Sequence, residues 1–190
     1  MIKEKDELIG LRKEIESVYN KREELIAKAR ELIKQSKKAI YALQRGDSGE
    51  AASVLKRMRQ EVGKLSSYSK DASYAGTIKP AIQEYVEAAA FEEFVKTGKL
   101  VDRSMLGVSA EHYIAGLCDL SGEVVRKAIN AAINDDEKTV ITAKSLIERL
   151  YYGLRQLDLR NGDLRRKFDG LKYDLKKMED VLLSMKMRGH

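Results

Sequence analysis

The sequence predicts an all-α protein that folds as a single-domain helical bundle of about six to seven helices over residues 1–190. Charged residues make up 35% of the chain, which has one proline and no tryptophan, as is typical of long helices. Apolar residues recur at steps of three and four, the period of a helix with one buried face. No convincing stretch alternates with period two, so no sheet is expected.

The first predicted helix is long and runs from about residue 4 to residue 45. Its apolar pattern is interrupted only at Arg22 and Ser36. A helix of this length would measure about 60 Å at 1.5 Å per residue, which is more than a small core spans. We therefore expect it to lie along partner subunits or neighbouring helices. The apolar positions are Leu8, Leu11, Ile15, Val18, Leu25, Ala29, Leu32, Ala39 and Leu43.

Turn and cap residues place the other helices. Gly46 is expected to close the first helix and Ser48 to cap the second. Because SYAGTIKP (73–80) interrupts the pattern, Pro80 is expected to be the first residue of the third helix. Ser109 is expected to cap the fourth. The predicted helices cover 49–69, 80 to about 98, 110–133, 140–157 and, after Asn161-Gly162, a last stretch to about 188.

Composition excludes several classes of protein. Cys118 is the only cysteine, which rules out a disulfide framework and a zinc finger and favours a reducing compartment. We expect Cys118 to be a buried structural thiol and His112 an ordinary surface or packing residue. No apolar run approaches the roughly 20 residues needed to cross a bilayer. These features predict a soluble cytoplasmic protein with no membrane partner.

The charge is unevenly distributed along the chain. Residues 1–80 carry 18 basic and 12 acidic groups, residues 81–136 carry 5 and 10, and residues 137–190 carry 13 and 8. A basic field beside an acidic centre suits a polyanion that meets a metal site. Ordinary solvated helix faces are the alternative that charge alone leaves open.

Two acid pairs lie in the acidic centre. Glu84 and Glu87 are three residues apart, and Asp119 and Glu123 are four apart, so each pair lies on one face of its helix. If the two pairs met, a cation or bound protons would have to neutralise them. Oxygen ligands alone favour Mg²⁺ or Mn²⁺. Spacing by itself leaves solvated surface acids as the alternative interpretation.

Several stretches of the chain resemble one family. LRRKFDGLKYDLKKMEDVLLSMKMRG (164–189) is similar to the C-terminal helix of translin, most specifically at DGLKYD (169–174). The stretches SKKAIYALQR (36–45), QEYVEAAAFEEFVKTGKL (83–100) and HYIAGLCDLSGEVVRKAIN (112–130) resemble translin-associated factor X (TRAX). The chain is thus identified as a member of the translin/TRAX superfamily with TRAX-like acids. Its mixture of both types suits a single-gene homo-oligomer, such as an archaeal one.

The resemblance implies a fold, an assembly and an activity. Translin-type proteins are all-α, form hollow octamers and bind RNA or single-stranded DNA, and TRAX-type subunits supply Mg²⁺-dependent endoribonuclease activity. Carried over by position, the catalytic and metal-binding acids are Glu84, Glu87 and Asp119. Glu123 is a candidate fourth ligand, or an acid that supports the ligands and assists proton removal.

The resemblance therefore implies a Mg²⁺- or Mn²⁺-dependent endoribonuclease that acts on small or duplex RNA as a homo-octamer. One alternative is a non-catalytic oligomer that binds RNA or single-stranded DNA, and another is a scaffold that uses the first helix to bind partners. Basic residues of the first two helices are expected to line the RNA path, with solvated faces as the other interpretation. These residues are Lys34, Lys37, Lys38, Arg45, Lys56, Arg57 and Arg59.

Overall fold

The structure is a computed structural model that describes residues 2–188, with side chains described except at positions 2–5, 70, 72 and 188. Met1, Gly189 and His190, which belong to the predicted domain, lie outside the described residues. The described chain contains helices and no strand, which confirms the all-α prediction. The α-helices are α1 (Ile2–Arg45), α2 (Ser48–Ser66), α3 (Ala72–Thr97), α4 (Arg103–Leu106), α5 (Ala110–Ile133), α6 (Glu137–Leu154) and α7 (Asp163–Arg188), with a 3₁₀ turn at Ser67–Lys70.

The helix boundaries follow glycines and capping side chains. Gly46 and Gly98 end α1 and α3 with positive φ angles of 87° and 70°, a conformation that glycine adopts without strain. Ser109 caps α5 as expected, since its hydroxyl accepts a hydrogen bond from the backbone N–H of His112 at 3.2 Å. The prediction for α2 is wrong by one residue. Asp47, not Ser48, is the cap, and its carboxylate accepts from the backbone N–H of Glu50 at 2.9 Å.

The prediction that Pro80 begins the third helix is wrong. Helix α3 starts at Ala72, where the carboxylate of Asp71 accepts from the backbone N–H of Ser73 at 2.9 Å and caps the helix. Pro80 lies inside α3, where its missing N–H removes one backbone hydrogen bond. Ile78 and Ala81 on either side of it are fully buried, so packing of this segment holds the helix together through the proline.

The long helices pack in a fixed order. Helix α3 contacts α1 on one side and α5 on the other, and α5 in turn contacts α6 and α7. The largest buried side chains come from nearly all of these helices. The centre of the bundle is therefore the region where α3 and α5 lie side by side. The fully buried large residues include Leu25, Leu43, Met58, Tyr85, Phe91, Leu120, Leu146 and Leu171.

Helix α1 divides into two halves of different character. From Leu25 onward its apolar positions are buried, with Leu25 and Leu43 at 0% exposure. The apolar positions of its first half are exposed, and Leu8 reaches 66% and Ile15 51%. The periodicity in the sequence correctly predicts the helix, while the first half has no core of this chain to pack against.

Gly116 sets the distance between α3 and α5. A Cβ atom at this position would lie 2.6 Å from Cβ of Val86 and 2.8 Å from the backbone oxygen of Gln83. Such distances are too short for any carbon contact, so only glycine allows this approach. Val86 lies between Glu84 and Glu87 in α3, and Gly116 precedes Asp119 by about one turn of α5. This close contact of the two helices thus lies beside the acid pairs.

The DGLKYD motif anchors α7 against α5. Leu171 is fully buried, and the carboxylate of Asp174 accepts a hydrogen bond from the hydroxyl of Ser121, which is also buried. Asp169 instead forms an ion pair with Arg165 of its own helix at 3.0 Å. Tyr173 points outward and is 75% exposed. The motif therefore combines one buried polar contact with a surface that faces solvent in this chain.

None of the described helices is long and apolar enough to cross a membrane.

Candidate metal and nucleic-acid site

The four predicted acids lie together where α3 meets α5. Glu84 and Glu87 of α3 and Asp119 and Glu123 of α5 are all partly buried. They are close enough that Glu84, Asp119 and Glu123 each raise the pKa of Glu87. We call these four side chains the acid cluster. The two helical pairs inferred from spacing therefore face one another in the fold.

Burial and mutual repulsion perturb the acid cluster. The pKa of Glu87 is raised to about 8, mainly because burial disfavours the charged carboxylate and then because three carboxylates surround it. The pKa of Glu84 is also raised, first by burial, while the positive charge of Lys37 opposes that rise. At neutral pH Glu87 therefore keeps a proton, which reduces the repulsion within the cluster.

Residues from three other positions act on the cluster. The ammonium of Lys167 on α7 forms an ion pair with the carboxylate of Asp119. The side-chain amide of Gln44 on α1 donates hydrogen bonds to the carboxylate of Glu123 at 2.7 Å and to its backbone oxygen at 3.0 Å. Lys37, about two turns before Gln44 on α1, acts electrostatically on Glu84. Sequence reasoning misses Lys167 and Gln44, because both lie far from the acids along the chain.

The oxygen atoms of the acid cluster are the type of ligand that a hard divalent cation prefers. Carboxylate oxygens are the ligands that Mg²⁺ and Mn²⁺ prefer. The pKa of Glu87 is raised first by burial and then by three neighbouring carboxylates, and a bound cation would stabilise its charged form against both effects. Among the side chains that the structure describes, however, no three of His, Cys, Asp or Glu stand in position to hold a metal ion. Asp119 is turned to Lys167 and Glu123 to Gln44. Side-chain rotation would be needed to bring the ligands together.

The basic residues predicted for RNA binding occupy the outer faces of α1 and α2, and all seven are exposed. Lys38 and Arg45 each form an ion pair with Glu50, at 3.2 and 3.1 Å. The carboxylate of Glu50 therefore offsets part of their positive charge. Arg57 lines a shallow groove between α1 and α2. Among these exposed basic residues, which we call the basic face, Lys37 acts electrostatically on Glu84 of the acid cluster. The remaining members of the basic face are Lys34, Lys56 and Arg59.

Cys118 and His112 have no catalytic environment. Cys118 is 5% exposed, and burial raises the pKa of its thiol to about 12, so the reactive thiolate is absent at neutral pH. Burial lowers the pKa of His112, whose nearest charged neighbours are Glu111 and Lys79. Both residues therefore match the structural roles expected for them.

Comparison with proteins of known sequence gives two kinds of relative. Translin from Gallus gallus is 34% identical over 122 residues, which cover 57% of this chain and 53% of the relative. Translin from Homo sapiens is 33% identical over a similar region. The chain thus spans about half the length of the translin relatives that it matches. Translin-associated protein X from Mus musculus is 24% identical over 95% of this chain and 77% of its own length.

Solved structures share the whole fold. The crystal structure of apo-NeC3PO superposes with a TM-score of 0.87 at 27% identity and covers 94% of this chain and 96% of that one. The AfC3PO–duplex RNA complex gives a TM-score of 0.86 at 26% identity over 96% and 97%. The translin family model matches residues 20–189. Since this match includes most of the chain, with the bundle and the acid cluster, the chain belongs to the translin family.

Proposed function

We propose that this chain is an RNA-binding subunit of a homo-oligomer that cleaves phosphodiester bonds of small or duplex RNA with Mg²⁺ or Mn²⁺. The meeting of four partly buried carboxylates, which raises the pKa of Glu87 to about 8, carries this proposal. Partly buried acids at such a concentration are costly unless cations or protons offset them, and Lys167 supplies only one positive charge for the four carboxylates. The related AfC3PO structure contains duplex RNA, which supports RNA as the ligand.

In the proposed site, Glu84, Glu87, Asp119 and Glu123 would hold the ion. When bound, the ion would supply Lewis acidity, lowering the pKa of a water and stabilising charge on the phosphate. The chain itself supplies position and charge. The positive charge of Lys37 acts on Glu84, so in this proposal Lys37 would receive a phosphate that reaches the acid cluster from the exposed basic residues of α1 and α2. Gln44 holds the carboxylate of Glu123 in place through a 2.7 Å hydrogen bond, and Glu123 is the carboxylate proposed to assist proton removal.

Assembly and location are part of the same proposal. The exposed apolar residues of the first half of α1, such as Leu8 and Ile15, suit burial against other copies of the chain. An octamer is the proposed assembly, by likeness to the family. The single buried cysteine, Cys118, suits the reducing conditions of the cytoplasm.

Cleavage by acid-cluster variants tests the proposal. Glu84→Gln and Asp119→Asn should reduce cleavage of a short RNA duplex in Mn²⁺ by more than about 100-fold, since even residues behind metal ligands typically contribute 10–100-fold. Glu92→Gln is the matched control. Glu92 lies on α3 and forms a 2.6 Å ion pair with Lys96. Equal cleavage by the wild type and both cluster variants would refute the acid cluster as the site of cleavage, and no cleavage by the wild type in Mg²⁺ or Mn²⁺ would refute the nuclease activity.

A non-catalytic oligomer that binds RNA or single-stranded DNA is the second candidate. The engagement of Asp119 by Lys167 and of Glu123 by Gln44 favours it, since it leaves no three acids in position for a metal among the described residues. This candidate predicts binding that weakens steeply with salt, as phosphate contacts do, together with no cleavage in any divalent ion. A gel-shift series at rising salt, run beside the cleavage assay, separates the two.

A further inference from the structure

We infer that Lys167 is a built-in counter-ion of the acid cluster that competes with a divalent cation for Asp119. The inference rests on the proposed function, since it concerns the same metal site. Lys167 belongs to α7, 48 positions from Asp119 on α5, and its ammonium contacts one carboxylate oxygen of that residue. It is the only side chain described in this structure that forms an ion pair with a member of the cluster.

This ion pair differs from most others in the described part of the chain. Most of those join side chains three or four positions apart on one exposed helix face, as Arg12 and Glu16 do. Surface pairs of that kind contribute little. Lys167 and Asp119 come from different helices, and each side chain is only 30% exposed. The pair therefore needs the tertiary fold in order to form.

Helix α7 fixes the base of the Lys167 side chain. Phe168, the next residue, is 7% exposed and stacks on Tyr151 with ring centroids 5.7 Å apart. One turn further, Leu171 is fully buried, and Asp174 accepts from the hydroxyl of Ser121. The backbone of α7 therefore holds Lys167 over the acid cluster, and only the four-carbon side chain is free to move.

Charge and coordination decide how the two cations compete. An ammonium carries one charge and acts as a point donor, whereas Mg²⁺ or Mn²⁺ carries two charges and gathers several oxygens. A metal ion that takes Asp119 must displace the ammonium, which can turn outward because its side chain is partly exposed. Lys167 thus stabilises the cluster without metal and lowers the affinity for metal. If Lys167 instead oriented Asp119 as a ligand, its loss would weaken metal binding.

Lys167→Met tests this inference, because methionine keeps the apolar stem and removes the charge. The intact protein is titrated with Mn²⁺ while the free ion is followed by electron paramagnetic resonance. We expect the Mn²⁺ dissociation constant to fall by about 3- to 10-fold, as the loss of a competing ion pair predicts. Lys172→Met is the matched control, since Lys172 lies five positions on along α7 and is exposed. It should leave the dissociation constant unchanged.

A second readout needs no metal. In EDTA, Lys167→Met and Asp119→Asn should each lower the melting temperature, and the double variant should lose less than the sum of the two, because both remove one interaction. If the losses in melting temperature of the two single variants added up in the double variant, Lys167 would not be the counter-ion of Asp119. Unchanged or weaker Mn²⁺ binding by Lys167→Met would overturn the competition. If neither the wild type nor Lys167→Met binds Mn²⁺, the proposed metal-dependent function fails, and the EDTA cycle still decides whether Lys167 is the counter-ion.

Discussion

Glu24 and Glu87 are the same side chain in opposite environments. Glu24, on the outer part of α1, is exposed and forms ion pairs with Lys21 at 2.9 Å and Lys28 at 2.6 Å, which hold its pKa at about 2. Glu87 is partly buried among other acids, and its pKa is about 8. Residues of the same helix explain the first value. Burial is the main cause of the second, followed by Glu84 of the same helix and then by Asp119 and Glu123 of the facing helix. The raised pKa of Glu87 therefore depends on how the helices pack.

The two glutamates should differ most in how they couple stability to pH. The pKa of Glu87 in the folded protein is about 8, above the ordinary 4.5, so the folded state binds more protons than the unfolded state between these two values. The contribution of Glu87 to stability should therefore fall as the pH rises from 4.5 to 8 and level off above that. Because a tenfold change in proton affinity corresponds to about 1.4 kcal/mol, Glu87→Gln should stabilise the protein at pH 8.5 by on the order of 2–4 kcal/mol.

Urea denaturation in EDTA measures this effect for the wild type and Glu87→Gln. At pH 5 the two proteins should have nearly equal free energies of unfolding, and the gap should open toward pH 8.5. Parallel pH profiles would mean that Glu87 is not repelled by its neighbours and that the acid cluster is not assembled in solution.

A smaller effect on stability is expected from changing Gly116, where α3 and α5 come into close contact beside the acid cluster. Gly116→Ala places a Cβ within 2.6 Å of Val86 and 2.8 Å of the Gln83 backbone oxygen, so α3 and α5 must move apart. Overpacking of this kind destabilises by about 1–3 kcal/mol, which the helix propensity of alanine offsets by up to about 1 kcal/mol. The separation should also lower the pKa of Glu87, because the acids of α5 move away from it.

Gly122→Ala is the matched control for this change. Gly122 lies on the same helix between Ser121 and Glu123, but nothing lies within 4 Å of a Cβ built there. This variant should gain up to about 1 kcal/mol from helix propensity alone. Thermal or urea denaturation of both variants gives the difference. Equal stabilities would show that α3 and α5 are not in close contact at Gly116.

The smallest effect is expected at Glu24. Glu24→Gln removes a carboxylate that pairs only with exposed lysines of its own helix, where solvent and salt screen the interaction. Its depressed pKa means that any contribution is present above pH 4.5 and is lost as the pH falls toward 2. We expect no resolvable change in the urea midpoint at pH 7 in 0.1 or 1 M NaCl. A clear loss would mean that Glu24 has a partner outside its own helix.

Local signals in the sequence are enough to predict most of the fold. Helical periodicity and caps such as Ser109 depend on residues within a few positions of one another, so they can be recognised in one sequence. The position of Pro80 is predicted wrongly because burial of the neighbouring Ile78 and Ala81 outweighs the preference of proline for a first turn. Asp47 and Ser48 are both good caps, and local sequence does not choose between them.

The acid cluster is predicted only in part. Spacing pairs Glu84 with Glu87 and Asp119 with Glu123, and the family resemblance joins the pairs. The contact between Lys167 and Asp119 spans 48 positions, and no local pattern encodes a contact that depends on how α7 lies against α5. For the same reason, the sequence predicts Lys37 only as one of several phosphate-binding residues. It does not predict that the positive charge of Lys37 opposes the rise in the pKa of Glu84.

The close approach at Gly116 has a consequence for descent within the family. A single point mutation that adds one methyl group there would spread the helices without altering any acid, so a lineage could lose the site while keeping every carboxylate. In a comparison of many members, glycine at this position should accompany the four acids more faithfully than any basic surface residue does. A subunit that retains the acids but carries a larger residue at this position should have its acid pairs held further apart than its sequence suggests.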